Sequence, residues 1–128
     1  MKMDHVPRLV FWELTKKCNL NCIHCRAESE NSIYEGELSL DEIKAVIDDI
    51  ASHYTPILVL TGGEPLYRAD IFQIASYAET KGLKTALASN GTLIDRSMAE
   101  KIRTAGIRRV SISLDGCTPE SHDGFRGI

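Results

Sequence analysis

Cys18, Cys22 and Cys25 place three thiols within eight residues, in the run Lys17-Cys18-Asn19-Leu20-Asn21-Cys22-Ile23-His24-Cys25. The i, i+4, i+7 spacing could lay small residues along one helix face, but Asn19 and Asn21 are weak helix formers. A structural zinc site needs four ligands, with Cys117 or His24 as the candidates for the fourth. Such sites usually join two short cysteine pairs, whereas this chain has one triplet. A [4Fe-4S] cluster takes thiolates as its natural ligands, and three of them leave one iron open to a ligand that is not protein. On the residues alone two classes stand: a catalytic cluster, or a non-catalytic iron-sulfur or zinc-binding module on Cys18, Cys22 and Cys25.

The elements that must position these thiols are legible as apolar runs and their punctuation. Leu9 to Leu14, behind Pro7, predicts a buried first strand. Ser39-Leu40-Asp41-Glu42 is a capping box opening a helix whose apolar face carries Ile43, Val46, Ile47, Ile50 and Tyr54, and Pro56 stops it. Ile57 to Leu60 predicts a second strand running straight into Thr61-Gly62-Gly63-Glu64-Pro65. Ile71, Ile74, Ala75 and Ala78 line a second helix with Gly82 just past its end, and Lys84 to Ser89 is a third strand closed by Asn90-Gly91. Asp95 caps a third helix bearing Met98, Ala99, Ile102 and Ala105, and Arg109 to Leu114 is a fourth strand.

Strands joined by helices imply an α/β fold with a parallel sheet of right-handed βαβ units. The sheet can close as a doubly wound layer or as part of a (β/α) barrel. In both, ligands gather at the carboxyl ends of the strands. The unusual residues fall there: the cysteine run after the first strand, Gly62 to Pro65 after the second, Ser89-Asn90-Gly91 after the third, and Ser113-Leu114-Asp115-Gly116 after the fourth.

Composition narrows the class further. The chain has 128 residues, enough for one domain, with 43% apolar and 26% charged residues, so a folded core is expected. A net charge of -3 gives no electrostatic support to generic nucleic-acid binding. No apolar run approaches the ~20 residues of a membrane span, and the start does not read as a signal peptide, so a cytoplasmic location is expected. In that reducing setting cysteines read as ligands or redox groups rather than disulfides.

The Cys18-x3-Cys22-x2-Cys25 run followed by Gly62-Gly63-Glu64-Pro65 resembles the radical S-adenosylmethionine superfamily. Ser111-Ile112-Ser113-Leu114-Asp115-Gly116 and His122-Asp123-Gly124-Phe125-Arg126-Gly127 extend the likeness along almost the whole chain. Trp12-Glu13-Leu14-Thr15 and His24-Cys25-Arg26-Ala27 are similar to members that modify tetrapyrroles in haem and haem d1 pathways. They are also similar to members that modify peptides, as in pyrroloquinoline quinone synthesis and sulfatase maturation.

The resemblance implies a partial (β/α)6 barrel, of which residues 1–128 supply the first four strand units and so look like a fragment of a longer core. It implies a [4Fe-4S] cluster on Cys18, Cys22 and Cys25 that reductively cleaves S-adenosylmethionine to methionine and a 5′-deoxyadenosyl radical, which abstracts hydrogen from a tetrapyrrole or peptide. Gly62, Gly63 and Glu64 would receive the methionyl ammonium on backbone carbonyls, with glycine allowing the close approach. Ser113 and Asp115 would reach the ribose hydroxyls or the methionyl group, Asn90 would lie near the cofactor, and Arg126 would pair with its carboxylate. His24 would pack on adenine, and Cys117 would stay a free, small apolar residue. The implied partners are a low-potential electron donor of flavodoxin or ferredoxin type and, through an unpaired strand at Arg109 to Leu114, a second copy of the chain. The isolated piece is expected to have little activity on the native substrate.

Overall fold

The computed structural model describes residues 5–16, 36–113 and 117–126, without the side chains of 122 and 124–126. The elements follow as β1 (Leu9–Glu13), α1 (Leu40–His53), β2 (Ile57–Thr61), a 3-10 turn (Pro65–Tyr67), α2 (Ile71–Thr80), β3 (Thr85–Ser89), α3 (Arg96–Thr104), β4 (Arg109–Ile112) and α4 (Pro119–Arg126). The strands form one parallel sheet in the order β1-β2-β3-β4. That order decides between the two closures. A doubly wound sheet reverses direction around its first strand, whereas here each strand adds to the same edge. Crossovers of one hand then bring α1, α2 and α3 to one face, as in a barrel wall.

Burial follows the same division. The register sets Val10 and Trp12 beside Leu58 and Leu60, and these beside Thr85 and Leu87. Leu58, Leu60 and Leu87 on this face are fully buried in one core with Ile43 and Ile47 of α1, Ile71 and Ile74 of α2, and Ile102 of α3. The alternate row is open: Leu9 is 53% and Phe11 69% exposed, and Val59, Ala86 and Ala88 are partly exposed. The strand expected to be buried, Leu9 to Leu14, is therefore covered on one face only. An apolar run does not reveal how many faces a sheet has covered, and β1 also lies at an edge.

The helices carry local signals that the structure uses. Ser39 Oγ accepts from the Glu42 N–H at 3.2 Å while the Ser39 N–H donates to Glu42 Oε1 at 3.0 Å, a capping box worth about 1 kcal/mol. The buried stripe of α1 is narrower than its apolar pattern, because Val46 is exposed and Tyr54 lies past the end as the C-cap. In α2 all four predicted positions are buried, and in α3 Asp95 caps through the Met98 N–H at 2.7 Å while Ala99 faces outward. The sequence reading missed the 3-10 turn and α4. A signal for α4 was present: Pro119 opens it, and Thr118 Oγ1 accepts from the Ser121 N–H at 3.2 Å. Among the described residues no helix is long and apolar enough to cross a membrane.

Candidate functional site

The carboxyl edge of the sheet begins where β1 leaves it. The Leu14 N–H donates to Thr61 O at 2.9 Å, and the Gly63 N–H donates to Thr15 O at 2.7 Å, so the strand pairing runs on into the Gly62-Gly63-Glu64 turn. Gly62 has φ +146°, and a Cβ there would stand 2.3 Å from Thr15 O. The main chain thus requires glycine at this position to admit its own neighbouring strand. This demand for glycine, set by Thr15, comes in addition to the close approach of a bound ligand that the family resemblance implies.

Glu64 is fully buried and its carboxylate is turned into the protein. Oε1 accepts from Ser89 Oγ at 2.8 Å and from the Leu66 N–H at 3.3 Å, and Oε2 accepts from the Asn90 N–H at 2.7 Å. A buried carboxylate persists only with such donors. Here they tie the end of β2 to the end of β3 and cap the 3-10 turn. Ser89, noted in the sequence only as part of the strand-end Ser89-Asn90-Gly91 run, also accepts from the Gly91 N–H at 3.0 Å.

Asn90 Oδ1 accepts from the Thr92 N–H at 2.9 Å and from Thr92 Oγ1 at 2.7 Å, a turn-forming use of the side chain. Ser113 follows β4, donates its N–H to Ser89 O at 3.3 Å, and is exposed. The structure therefore gathers Gly62, Gly63, Glu64, Asn90 and Ser113 along one edge. Cys18, Cys22, Cys25, His24 and Asp115 lie outside the described residues. Arg126 ends α4, with its side chain outside them too. Cys117 is an exposed free thiol. Exposure does not suit the small apolar role expected of it.

Two further polar residues at this end were missed, Glu37 and Arg68; Glu37 accepts from Thr15 Oγ1, noted in the sequence only as part of the Trp12-Glu13-Leu14-Thr15 run, and lies 4.0 Å from Arg68 Nη1. Their one sequence signal is Arg68-Ala69-Asp70 directly after the turn, which reads like an ordinary surface pair. The donor set fits an iron-sulfur group by its chemistry: in sequence the three thiols fall between Lys16 and Gly36, and these two described flanks line one cavity at the end of β1.

Known proteins share the sequence pattern, and solved structures share the fold. Residues 12–128 match the model of the Radical SAM superfamily. An "AdoMet-dependent heme synthase" of Methanosarcina barkeri is 53% identical over 126 residues, which is 98% of this chain and 36% of that protein. A "Pre-heme d1 synthase" of Dinoroseobacter shibae is 38% identical over 120 residues, 94% of this chain and 30% of that one. The chain spans about a third of the length of the curated relatives it matches. Among solved structures, Streptococcus suis SuiB bound to S-adenosylmethionine superposes with a TM-score of 0.80 at 19% identity, covering 96% of this chain and 28% of SuiB. BtrN in complex with AdoMet and 2-DOIA superposes with a TM-score of 0.75 at 17% identity, over 86% of this chain and 46% of BtrN, so the barrel-type fold is shared. With the family match running from β1 through α4 over the parallel sheet just described, the chain belongs to the radical SAM superfamily.

Proposed function

We propose that this chain supplies the first part of the catalytic core of a radical SAM enzyme that acts on a tetrapyrrole. In this reading Cys18, Cys22 and Cys25 hold a [4Fe-4S] cluster, and S-adenosylmethionine lies along the carboxyl edge at Gly62, Gly63, Glu64, Asn90, Ser113, Asp115, Arg126 and His24. The observation that carries it is the 2.7 Å bond from the Gly63 N–H to Thr15 O. It sets the Gly-Gly-Glu turn against the last residues before the cysteine run. When bound, the cluster supplies one electron, received from a low-potential flavodoxin or ferredoxin, for radical chemistry on the S-adenosylmethionine sulfonium.

The chain's own tasks are binding and orientation. The Gly62-Gly63 main chain offers polar groups unshielded by side chains, and buried Glu64 holds that turn to β3. Ser113 stands exposed just past β4, and Arg126 carries the planar fork suited to a carboxylate. The open row of Phe11, Val59, Ala86 and Ala88 is an apolar wall whose side chains are small on β3, which suits a broad flat substrate. Tetrapyrrole chemistry is further favoured because relatives named for haem synthesis reach 53% identity, against 35% for the mycofactocin maturase of Mycobacterium tuberculosis.

Anaerobic reconstitution with iron and sulfide tests the reading. About four irons per chain are expected, lost in Cys18→Ala, Cys22→Ala or Cys25→Ala and kept in Cys117→Ala. Adding S-adenosylmethionine should alter the electron paramagnetic resonance spectrum of the reduced cluster. Stoichiometric zinc without iron uptake would refute the proposal.

A further inference from the structure

The guanidinium of Arg68 is nearly buried, its side chain only 9% exposed, and it bonds to both ends of the segment that carries the cysteines. Nη1 donates to Leu14 O at 3.0 Å, on the strand end before that segment, and Nη2 donates to Leu38 O at 2.6 Å, on the stretch after it. Asp70 fixes the plane of the fork, accepting from Nε at 2.6 Å and from Nη2 at 3.2 Å. Glu37, with Oε2 4.0 Å from Nη1, completes the tie: its Oε1 accepts from Thr15 Oγ1 at 2.6 Å and from the Lys16 N–H at 3.1 Å. A cavity of about 200 Å³ adjoins these groups, lined in part by Lys16, Gly36, Glu37 and Arg68. Arg68 in turn closes the 3-10 turn after Gly62-Gly63-Glu64, its N–H donating to Pro65 O at 3.0 Å. One short piece of chain thus carries the glycine turn and the clasp.

Stability alone gives no reason for this arrangement. Removing charges from water is costly, and a well-packed apolar group usually stabilises a fold as well as a buried ion pair does. What an apolar group lacks is direction. Five donors in a rigid plane fix the separation and orientation of two backbone segments, which neither a leucine nor the single ammonium of a lysine can do. The bonds span residues 30 and 54 apart in sequence, and both distant partners are backbone carbonyls at the base of the cysteine segment.

We propose that Arg68 and Glu37 are positioning residues: they hold the two ends of segment 17–35 in fixed register and thereby hold the cysteine thiolates relative to the Gly62-Gly63-Glu64 turn. The inference rests on the cluster proposed above. It extends that reading to residues outside the set proposed to hold the cluster and S-adenosylmethionine.

The test uses the full chain with Arg68→Lys, Glu37→Gln and Thr15→Val, and with Ile102→Val in α3 as a variant weakened away from the site. Amide exchange read by mass spectrometry reports the clasp, and the rate of iron release to a chelator reports its hold on the cluster. Expected in the three clasp variants are faster exchange in peptides covering 14–16 and 37–38, unchanged exchange in β2 and β3, and a smaller spectral change on adding S-adenosylmethionine. Iron release should rise about tenfold in Arg68→Lys and about threefold in Thr15→Val, while Ile102→Val stays within twofold of the unaltered chain. If Arg68→Lys does not fold, Thr15→Val, which removes one hydroxyl, decides the matter. An unaltered chain that takes up no iron overturns the cluster reading and this inference with it. Iron uptake followed by release at the unaltered rate in the clasp variants, or an equal acceleration in Ile102→Val, overturns the positioning role and leaves the cluster reading intact.

Discussion

Gly62→Ala isolates the close approach on which the carboxyl edge is built. Its cost has three parts that the structure supplies. The backbone at φ +146° is a conformation that L side chains rarely adopt, costing about 1–3 kcal/mol. The new Cβ would stand 2.3 Å from Thr15 O, and pushing two packed backbones apart costs about 1–3 kcal/mol. The shift also stretches the 2.7 Å bond from the Gly63 N–H to Thr15 O, worth about 1 kcal/mol net. Together these reach about 3–7 kcal/mol, against a total stability of about 5–15 kcal/mol for a domain. Gly82→Ala is the control, since Gly82 also has positive φ, at +81°, but nothing stands within 4 Å of its Cβ position. Strain alone should cost about 1–2 kcal/mol there. Urea denaturation of the metal-free chain reads both losses at constant m-value. Losses that agree within about 1 kcal/mol would mean that Thr15 yields freely, and that the approach places no constraint on the turn.

Two other perturbations probe the groups around this edge and the helical face behind it. Glu64→Ala leaves the Ser89 hydroxyl and the Asn90 and Leu66 N–H groups without their common acceptor, and a loss of about 3 kcal/mol or more is expected from denaturation; stability within about 0.5 kcal/mol of the unaltered chain would show that the carboxylate is not a structural acceptor. On the outer face of α1 and α2, Tyr77 donates to Asp48 Oδ1 at 2.7 Å, and this bond, with Lys81 nearby, holds the Asp48 carboxyl below its ordinary range. A lowered folded pKa contributes stability that is present above the unfolded value and lost as pH falls through the folded one. Tyr77→Phe should therefore raise the Asp48 titration in a carbon-detected NMR experiment and leave the protein less stable at neutral pH but not in strong acid, and an unmoved Asp48 titration contradicts this.

The amino-acid sequence by itself determined what depends on near neighbours. The strand and helix alternation, the Ser39-Glu42 capping box, the Asp95 cap and the apolar face of α2 arise within one or two turns of chain, so composition and period are enough to read them. The cysteine triplet is legible for the same reason: three ligand-type residues sit in one short run. The strands' own composition left the closure open, since strand order is a choice between pairings that every strand's composition allows equally; the family resemblance pointed to the barrel, and the tertiary structure bears it out. Only tertiary structure decided that Phe11 is exposed while Leu58 is buried, since both stand in similar apolar runs and only the placing of the helices separates them. The partners of Glu64 lie up to 26 residues away and those of Arg68 up to 54, and no local pattern marks them. Such bonds exist because packing brings distant strand ends to one edge, where buried charged groups must find donors or acceptors to offset the water they lose.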